Sequence, residues 1–91
     1  MKQRKRHRTL LQQLLDARGI PYARIDAELQ KRMGDRAPDA KLTMRWRLGD
    51  AEPRRKNMVR LLWAVREAAG DATIRMEDII DLDPDNPANW E

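Results

Sequence analysis

The sequence predicts an all-α domain of four to five helices, with a basic arm before it and an acidic tail after it. Apolar residues recur at helical spacing through most of the chain. Gly and Pro residues fall between these segments, where helices end and begin. No two segments alternate well enough to pair as strands of a sheet. The chain has 91 residues, enough for one small domain with a modest core.

Residues 1–8 are predicted to form a basic, flexible arm. This segment, MKQRKRHR, contains five Lys and Arg residues and no acidic residue. Like charges at this density repel each other and favour a mobile chain. The arm is either a solvated terminus or a segment that lies along a phosphate backbone. His7 belongs to it, and a lone histidine among cations indicates neither a metal site nor catalysis.

Two helices are predicted between residues 9 and 34. Thr9 can cap the first helix, and Gly19 can end it. Pro21 is placed where the first turn of a helix tolerates proline, and Gly34 follows the last apolar position of the second helix. The apolar stripes are Leu10, Leu11, Leu14 and Leu15 in the first helix and Tyr22, Ile25, Leu29 and Met33 in the second.

Residues 40–48 match both a strand and a helix. The apolar positions alternate, as in a half-buried strand, and they also recur four residues apart: they are Leu42, Met44, Trp46 and Leu48. The local pattern favours a strand. A strand needs a partner, however, and the other candidate, residues 72–76, is shorter and alternates weakly. The context therefore favours a third helix, which Asp39 can cap after a loop at residues 35–39.

The longest helix is predicted between Pro53, which opens it, and Gly70, which ends it. Its apolar face comprises Met58, Leu61, Leu62, Val65 and Ala69. A short apolar turn or helix follows at residues 74–80, and Pro84 and Pro87 prevent it from continuing. The folded domain is thus predicted over residues 9–82. Residues 83–91 form the acidic, proline-containing tail.

Charge is distributed unevenly along the chain. The net charge is +4 and the isoelectric point is about 10.0, which suits a partner that carries negative charge. Residues 1–75 hold all 19 bases and 9 of the 15 acids, whereas residues 76–91 hold the other 6 acids and no base. No cysteine is present, so the domain must fold without disulfides, and the cytoplasm is the expected compartment. No segment has the length and apolarity of a membrane span.

The residues do not predict an enzyme, a cofactor or a metal site. The chain lacks a Ser-His-Asp or Cys-His set, a phosphate-binding glycine loop and a cluster of metal ligands. Asp81, Asp83 and Asp85 have the spacing that begins a calcium loop. The sixth position is Asn86 rather than Gly and the seventh is Pro87, so no calcium site is predicted.

Several motifs resemble the helix-turn-helix DNA-binding domains of the lambda-repressor-like (Cro/repressor, XRE-type) family. The matching residues are Gly19 after a Leu-rich helix, Ala27-Glu28-Leu29 with Met33-Gly34, Arg45-Trp46 with Gly49, and Pro53 before Leu61 and Leu62. The resemblance covers roughly residues 9 to 82. It departs from the family at residues 35–39, which are longer than the tight turn usual there and contain Pro38.

The resemblance implies a DNA-binding site centred on residues 40–48, the recognition helix that would enter the major groove. Leu42 and Trp46 would anchor this helix to the body. The candidates for base contacts are Lys41, Thr43, Met44, Arg45 and Arg47, and those for phosphate contacts are Tyr22, Arg36, Arg54, Arg55, Lys56 and Arg60. The implied protein is a sequence-specific transcriptional regulator, such as a repressor, that acts as a homodimer on double-stranded DNA. Neither a membrane nor a small-molecule substrate is expected.

Three alternatives remain open from the sequence. The bases can simply form a solvated charged face. In a ribbon-helix-helix protein, residues 41–47 would instead pair as a strand with a second copy and enter the groove as a ribbon. A protein-interaction module would bind a partner through its acidic tail and exposed Trp and Met residues. Trp90, the bulky residue of the tail, is expected to dock in an apolar groove of its own domain or of a second subunit.

Overall fold

The computed structural model describes residues 9–90, and within this range the chain is all-α, as predicted. The four α-helices are α1 (Leu10–Ala17), α2 (Tyr22–Met33), α3 (Ala40–Leu48) and α4 (Arg55–Ala69). Short 3₁₀ helices span Gly34–Arg36, Met76–Asp78 and Pro87–Trp90. The predicted basic arm at residues 1–8 lies outside the described residues. No helix in the described part of the chain is both long and apolar enough to cross a membrane.

The ambiguous segment at residues 40–48 is a helix, and residues 9–90 contain no strand. The strand alternative, and with it the ribbon-helix-helix arrangement, is therefore wrong. The Asp39 carboxylate accepts a hydrogen bond from the backbone N–H of Lys41 (2.9 Å), which confirms the predicted cap. A helix satisfies its own backbone hydrogen bonds, so this short segment needs no partner strand.

Two predicted boundaries shift. The helix expected to open at Pro53 begins at Arg55, because Pro53 is buried in the preceding loop and Arg54 takes the cap position. The loop expected at residues 35–39 starts within a 3₁₀ turn at Gly34–Arg36, in which the Ala37 N–H donates to the carbonyl of Gly34, the first residue of the turn (3.0 Å). A 3₁₀ turn after a helix end tightens the chain without continuing the helix.

One core joins all four helices, with α2 packed on α4 and α1 on α3. Burial of apolar side chains from each helix supplies the main driving force for this arrangement. Two of the three isoleucines that follow α4, Ile74 and Ile79, are buried in this core, and the short 3₁₀ helix between them contacts α1. The buried apolar residues are Leu11, Leu15, Tyr22, Ile25, Leu29, Trp46, Leu61, Ala64, Val65, Ile74 and Ile79.

The start of α1 is fastened to the end of α3 by Thr9. Its hydroxyl oxygen accepts a hydrogen bond from the Gln12 N–H (3.1 Å) and donates one to the Arg47 carbonyl (2.7 Å). Gly49 ends α3 with φ of 80°, and a Cβ atom there would lie 3.1 Å from Thr9 Cγ2. The close approach and the left-handed conformation both favour glycine. Thr9 therefore caps one helix and holds the last turn of another.

Hydrogen bonds join Asp81 to residues of the acidic tail and connect the tail residues to one another. The Asp81 carboxylate accepts hydrogen bonds from the Asp83 backbone N–H (2.9 Å) and from the side-chain amides of Asn86 (2.7 Å) and Asn89 (3.1 Å). These hydrogen bonds lower the pKa of Asp81, and the bond from the Asp83 N–H has the largest effect. Trp90 is 77% exposed, and its indole N–H donates to the Pro84 carbonyl (2.8 Å). The prediction that Trp90 docks in a groove of its own domain is therefore wrong.

An ion pair joins the end of α1 to the segment after α4. The Arg18 guanidinium lies 2.9 Å from the Asp71 carboxylate. The side-chain and backbone groups of Thr73 donate to the same carboxylate, and together with Arg18 they lower the pKa of Asp71 to about 2. The ionised carboxylate is thus stabilised in the folded chain more than in the unfolded one.

We expect Thr9→Ala to lower the free energy of unfolding by about 1–2 kcal/mol, because it removes the cap of α1 and the bond to the Arg47 carbonyl. Thr9→Ser keeps the hydroxyl and should recover most of that loss. Urea denaturation of the two variants measures the difference. Equal losses in both variants would show that the methyl group, rather than the hydroxyl, matters.

The Asp71 carboxylate should make stability depend on pH. Its folded pKa lies below the unfolded value of 3.8, so its contribution is present above about pH 4 and is lost as the pH falls towards 2. Asp71→Asn should therefore lower the melting temperature at pH 7 and leave it close to that of the parent near pH 2. Glu77→Gln, at an exposed ion pair of 3.8 Å, is the control and should change little at either pH. A constant difference between Asp71→Asn and the parent at all pH values would contradict this account.

Candidate nucleic-acid interface

The outer face of α3 presents a continuous stripe of basic and apolar side chains. Lys41, Met44, Arg45 and Leu48 are spaced so that they share one face of the helix, and all four are exposed. Met44 is 43% and Leu48 41% exposed. The inner face contributes Trp46 to the core, and Leu42 packs against it. The predicted anchoring residues and the exposure of three predicted contact residues, Lys41, Met44 and Arg45, are thus confirmed.

Thr43 belongs to the inner face, contrary to prediction. It is fully buried, and its hydroxyl donates to the Asp26 carboxylate of α2 (2.6 Å), with the Ala40 carbonyl also in reach (3.0 Å). Thr43 lies one helical turn before Trp46, so both side chains face the core. The alternation of apolar residues at 42, 44, 46 and 48 does not indicate this, because it places Thr43 on the polar side. A buried hydroxyl cannot contact a base, so Thr43 holds α3 against α2 instead.

Tyr22, the first residue of α2, is also committed to the interior. Its ring is buried, and its hydroxyl donates to the Thr43 carbonyl (2.8 Å). Burial raises the pKa of Tyr22, and the nearby negative charge of Asp26 raises it further. The hydroxyl proton of Tyr22 is therefore used in the hydrogen bond to the Thr43 carbonyl of α3. The predicted hydrogen bond from Tyr22 to a phosphate is wrong.

Arg47 lies between the interior and the surface. Its guanidinium carbon is 5.2 Å from the centroid of the Tyr22 ring, a cation–π distance. Its Nε atom is buried without a hydrogen-bond partner in the described chain. Arg47 lines an open cleft of about 300 Å³ between α2 and α3, together with Tyr22, Asp26, Lys41 and Met44. The cleft brings three predicted base-contact residues, Lys41, Met44 and Arg47, to one place.

The start of α4 concentrates positive charge. Arg54, Arg55 and Lys56 are all exposed, no side chain caps the helix, and its first turn contains no acidic residue. The amino-terminal end of a helix already carries a partial positive charge. Three cations at this end repel it and each other, and an anion would relieve that repulsion.

Arg36 and Arg60 belong to a different part of the surface. They line a cleft between α2 and α4 together with Arg32 and Trp63, and this cleft shares no lining residue with the one between α2 and α3. Arg32 was not predicted as a functional residue. Its guanidinium carbon lies 4.6 Å from the centroid of the Trp63 ring, a contact between residues 31 positions apart that no local pattern in the sequence signals.

The described residues contain no group of three or more His, Cys, Asp or Glu side chains arranged to hold a metal ion. The carboxylates with the calcium-loop spacing are used within the tail, where Asp81 accepts from two side-chain amides and Asp83 accepts from the Asp85 N–H (2.9 Å).

The contact between α2 and α3 can be tested by removing one hydroxyl at a time. Thr43→Val leaves the Asp26 carboxylate without its donor and should lower the free energy of unfolding by about 1–3 kcal/mol. Tyr22→Phe removes a single neutral hydrogen bond and should cost about 0.5–1.5 kcal/mol. Urea denaturation measures both values. Two neutral substitutions would contradict the buried positions of these hydroxyls.

Comparisons of the sequence and structure with protein-family models, with curated proteins and with solved structures give no match.

Proposed function

We propose that the protein binds double-stranded DNA through α3, as a sequence-specific transcriptional regulator of the helix-turn-helix type. The observation that carries this proposal is the exposed stripe of Lys41, Met44, Arg45 and Leu48 on a helix whose other face is locked into the core. A rigid helix with a basic outer face is suited to enter the major groove.

The stripe offers complementary contacts for base edges. The Arg45 guanidinium can bind guanine with two parallel hydrogen bonds, and Lys41 can reach guanine or a phosphate. Met44 and Leu48 offer apolar contact to the methyl group of thymine. Thr43 and Tyr22 contribute indirectly, because their hydrogen bonds fix the position of α3 relative to α2.

Phosphate contacts are assigned to the start of α4. Arg54, Arg55 and Lys56 surround a helix end that lacks a side-chain cap, so a phosphate there would meet backbone N–H groups and three cations. Such contacts position a protein on DNA without reading its sequence. The proposal therefore divides the surface into a reading helix, α3, and an anchoring helix end on α4.

A homodimer on a palindromic site extends this proposal. One nine-residue helix spans about 13 Å and reaches only a few base pairs. Two copies that read half-sites one helical turn of DNA apart would recognise a longer sequence. Occupancy of such a site would regulate transcription, with repression as the simplest outcome, and would place the protein in the cytoplasm with the DNA.

A protein-interaction module is the second candidate. Five large apolar side chains of the described residues are between 41% and 77% exposed: Met44, Leu48, Val59, Leu82 and Trp90. Apolar exposure of this kind also marks surfaces that bind protein partners. The two candidates differ in their response to salt. Contacts with phosphates release counterions, so DNA affinity falls steeply as salt rises, whereas an adaptor has no affinity for duplex DNA even in dilute buffer.

The experiment begins with selection of bound duplexes from a random pool, followed by titration of the selected duplex and a scrambled one at several salt concentrations. Arg45→Ala should weaken binding to the selected duplex by about 1–3 kcal/mol and leave the scrambled duplex almost unaffected. Arg54→Ala should weaken both duplexes alike and reduce the salt slope by about 0.9, the value for one phosphate contact.

Arg75→Ala is the matched control, because Arg75 is exposed and lies outside α3 and α4. It removes the same charge and should leave both affinities nearly unchanged. Equal losses in the Arg45, Arg54 and Arg75 variants would mean that only net charge matters and that α3 does not read sequence. Absence of duplex binding at low salt would overturn the proposal and favour the interaction module.

A further inference from the structure

The cleft between α2 and α4 combines apolar side chains with unneutralised cations. It has a volume of about 380 Å³, and none of the described residues that line it is acidic. Its apolar lining includes Met33, Val59 and Trp63, and Val59 is 60% exposed although it lies on the longest helix of the domain. Its basic lining comprises Arg32, Arg36 and Arg60. A ligand that contacts both sets of side chains needs apolar groups for Met33, Val59 and Trp63 and negative charge for the three arginines.

The acidic tail of the same chain, extended here to residues 81–90 so that it includes Asp81 and Leu82, has this chemistry. Trp90 and Leu82 are its two large apolar residues, and they are 77% and 60% exposed. They are accompanied by the carboxylates of Asp81, Asp83 and Asp85, and residues 76–91 contain no base. Hydrogen bonds of Asp81 with Asn86 and Asn89, and of the Trp90 indole with the Pro84 carbonyl, connect this segment internally while the indole remains largely in solvent. An indole fixed in solvent loses little conformational freedom when it binds.

The tail does not fill the cleft of its own domain. Asp81 and Asn89 instead line a separate cavity, of about 170 Å³, with Thr9, Trp46 and Pro53. The two cavities share no lining residue. None of residues 81–90 lines the α2–α4 cleft of its own domain, so a second copy of the chain is the source that can supply the tail.

We propose that the tail of one copy, residues 81–90, binds in the α2–α4 cleft of a second copy, with Trp90 as the anchor and the tail carboxylates against Arg32, Arg36 and Arg60. Tryptophan and arginine are the side chains that most often dominate binding energy at protein interfaces. Reciprocal exchange of two tails closes a dimer with two-fold symmetry. The proposal does not depend on DNA binding, because it uses neither α3 nor the start of α4.

The test is self-association of the full chain, measured by light scattering or sedimentation over a concentration series at low salt. Trp90→Ala, the tail variant, should weaken dimerisation about tenfold or more, as expected for the loss of a dominant anchor. Arg32→Glu/Arg36→Glu, the cleft variant, should weaken it similarly. The association should also weaken with added salt, since its charges are exposed. Melting temperatures establish that both variants remain folded.

The sharpest result comes from mixing the two variants. The cleft variant retains an intact tail and the tail variant an intact cleft, so an equimolar mixture contains heterodimers with one undamaged tail–cleft contact. The mixture should therefore associate more tightly than either variant alone and less tightly than the parent chain. Lys31→Glu/Arg75→Glu is the control for net charge, because both residues are exposed and neither lines the cleft. It should dimerise like the parent chain.

Three results would overturn the proposal. The first is a parent chain that remains monomeric at every concentration in low salt. The second is a dimer that the Trp90→Ala and Arg32→Glu/Arg36→Glu variants retain at parental strength. The third is loss of the dimer in both variants without recovery on mixing, which would show that tail and cleft do not contact each other.

Discussion

The position of α3 depends on a buried polar contact with α2. Thr43 is fully buried; its hydroxyl donates to the Asp26 carboxylate of α2, and its carbonyl accepts from the Tyr22 hydroxyl of α2. A buried polar group without partners destabilises the fold, so α2 and α3 must meet in the register that satisfies all of these groups. Apolar packing alone would tolerate small rotations of α3. The hydrogen bonds remove that tolerance and thereby determine which side chains of α3 face outward.

The helices were predictable because their signals are local. Caps at Thr9 and Asp39 and stops at Gly19 and Gly70 follow from backbone chemistry within a few residues. The site was less predictable because it depends on tertiary neighbours. The sequence gives no indication that Tyr22 meets the Thr43 carbonyl or that Arg32 covers Trp63. The polar side chain of Thr43 suggests exposure, whereas the phosphate contact expected of Tyr22 rests on the family resemblance alone, since Tyr22 belongs to the apolar stripe of the second helix. Lys41, Met44 and Arg45, whose exposure follows from the helical period, were assigned correctly to the outer face.

Charge of one sign is concentrated at each of two places in this domain. The start of α4 collects cations where the helix end is already positive, while the tail collects carboxylates and satisfies them with its own amides. Neither cluster of like charges stabilises the folded domain through its charges, since like charges repel. Stability is supplied instead by the apolar core and by local contacts such as the Arg18–Asp71 ion pair. Each of these two surfaces therefore carries charge of one sign.

The three tryptophans occupy three different environments. Trp46 is buried in the core, Trp63 is half-buried beneath a guanidinium, and Trp90 is in solvent. Indole emission depends on its surroundings, so these residues form a set of intrinsic fluorophores with distinct spectra and distinct access to soluble quenchers. Single-tryptophan versions of the chain, with phenylalanine at the other two positions, would separate the optical signals of unfolding, of cleft occupancy and of tail movement without an attached dye.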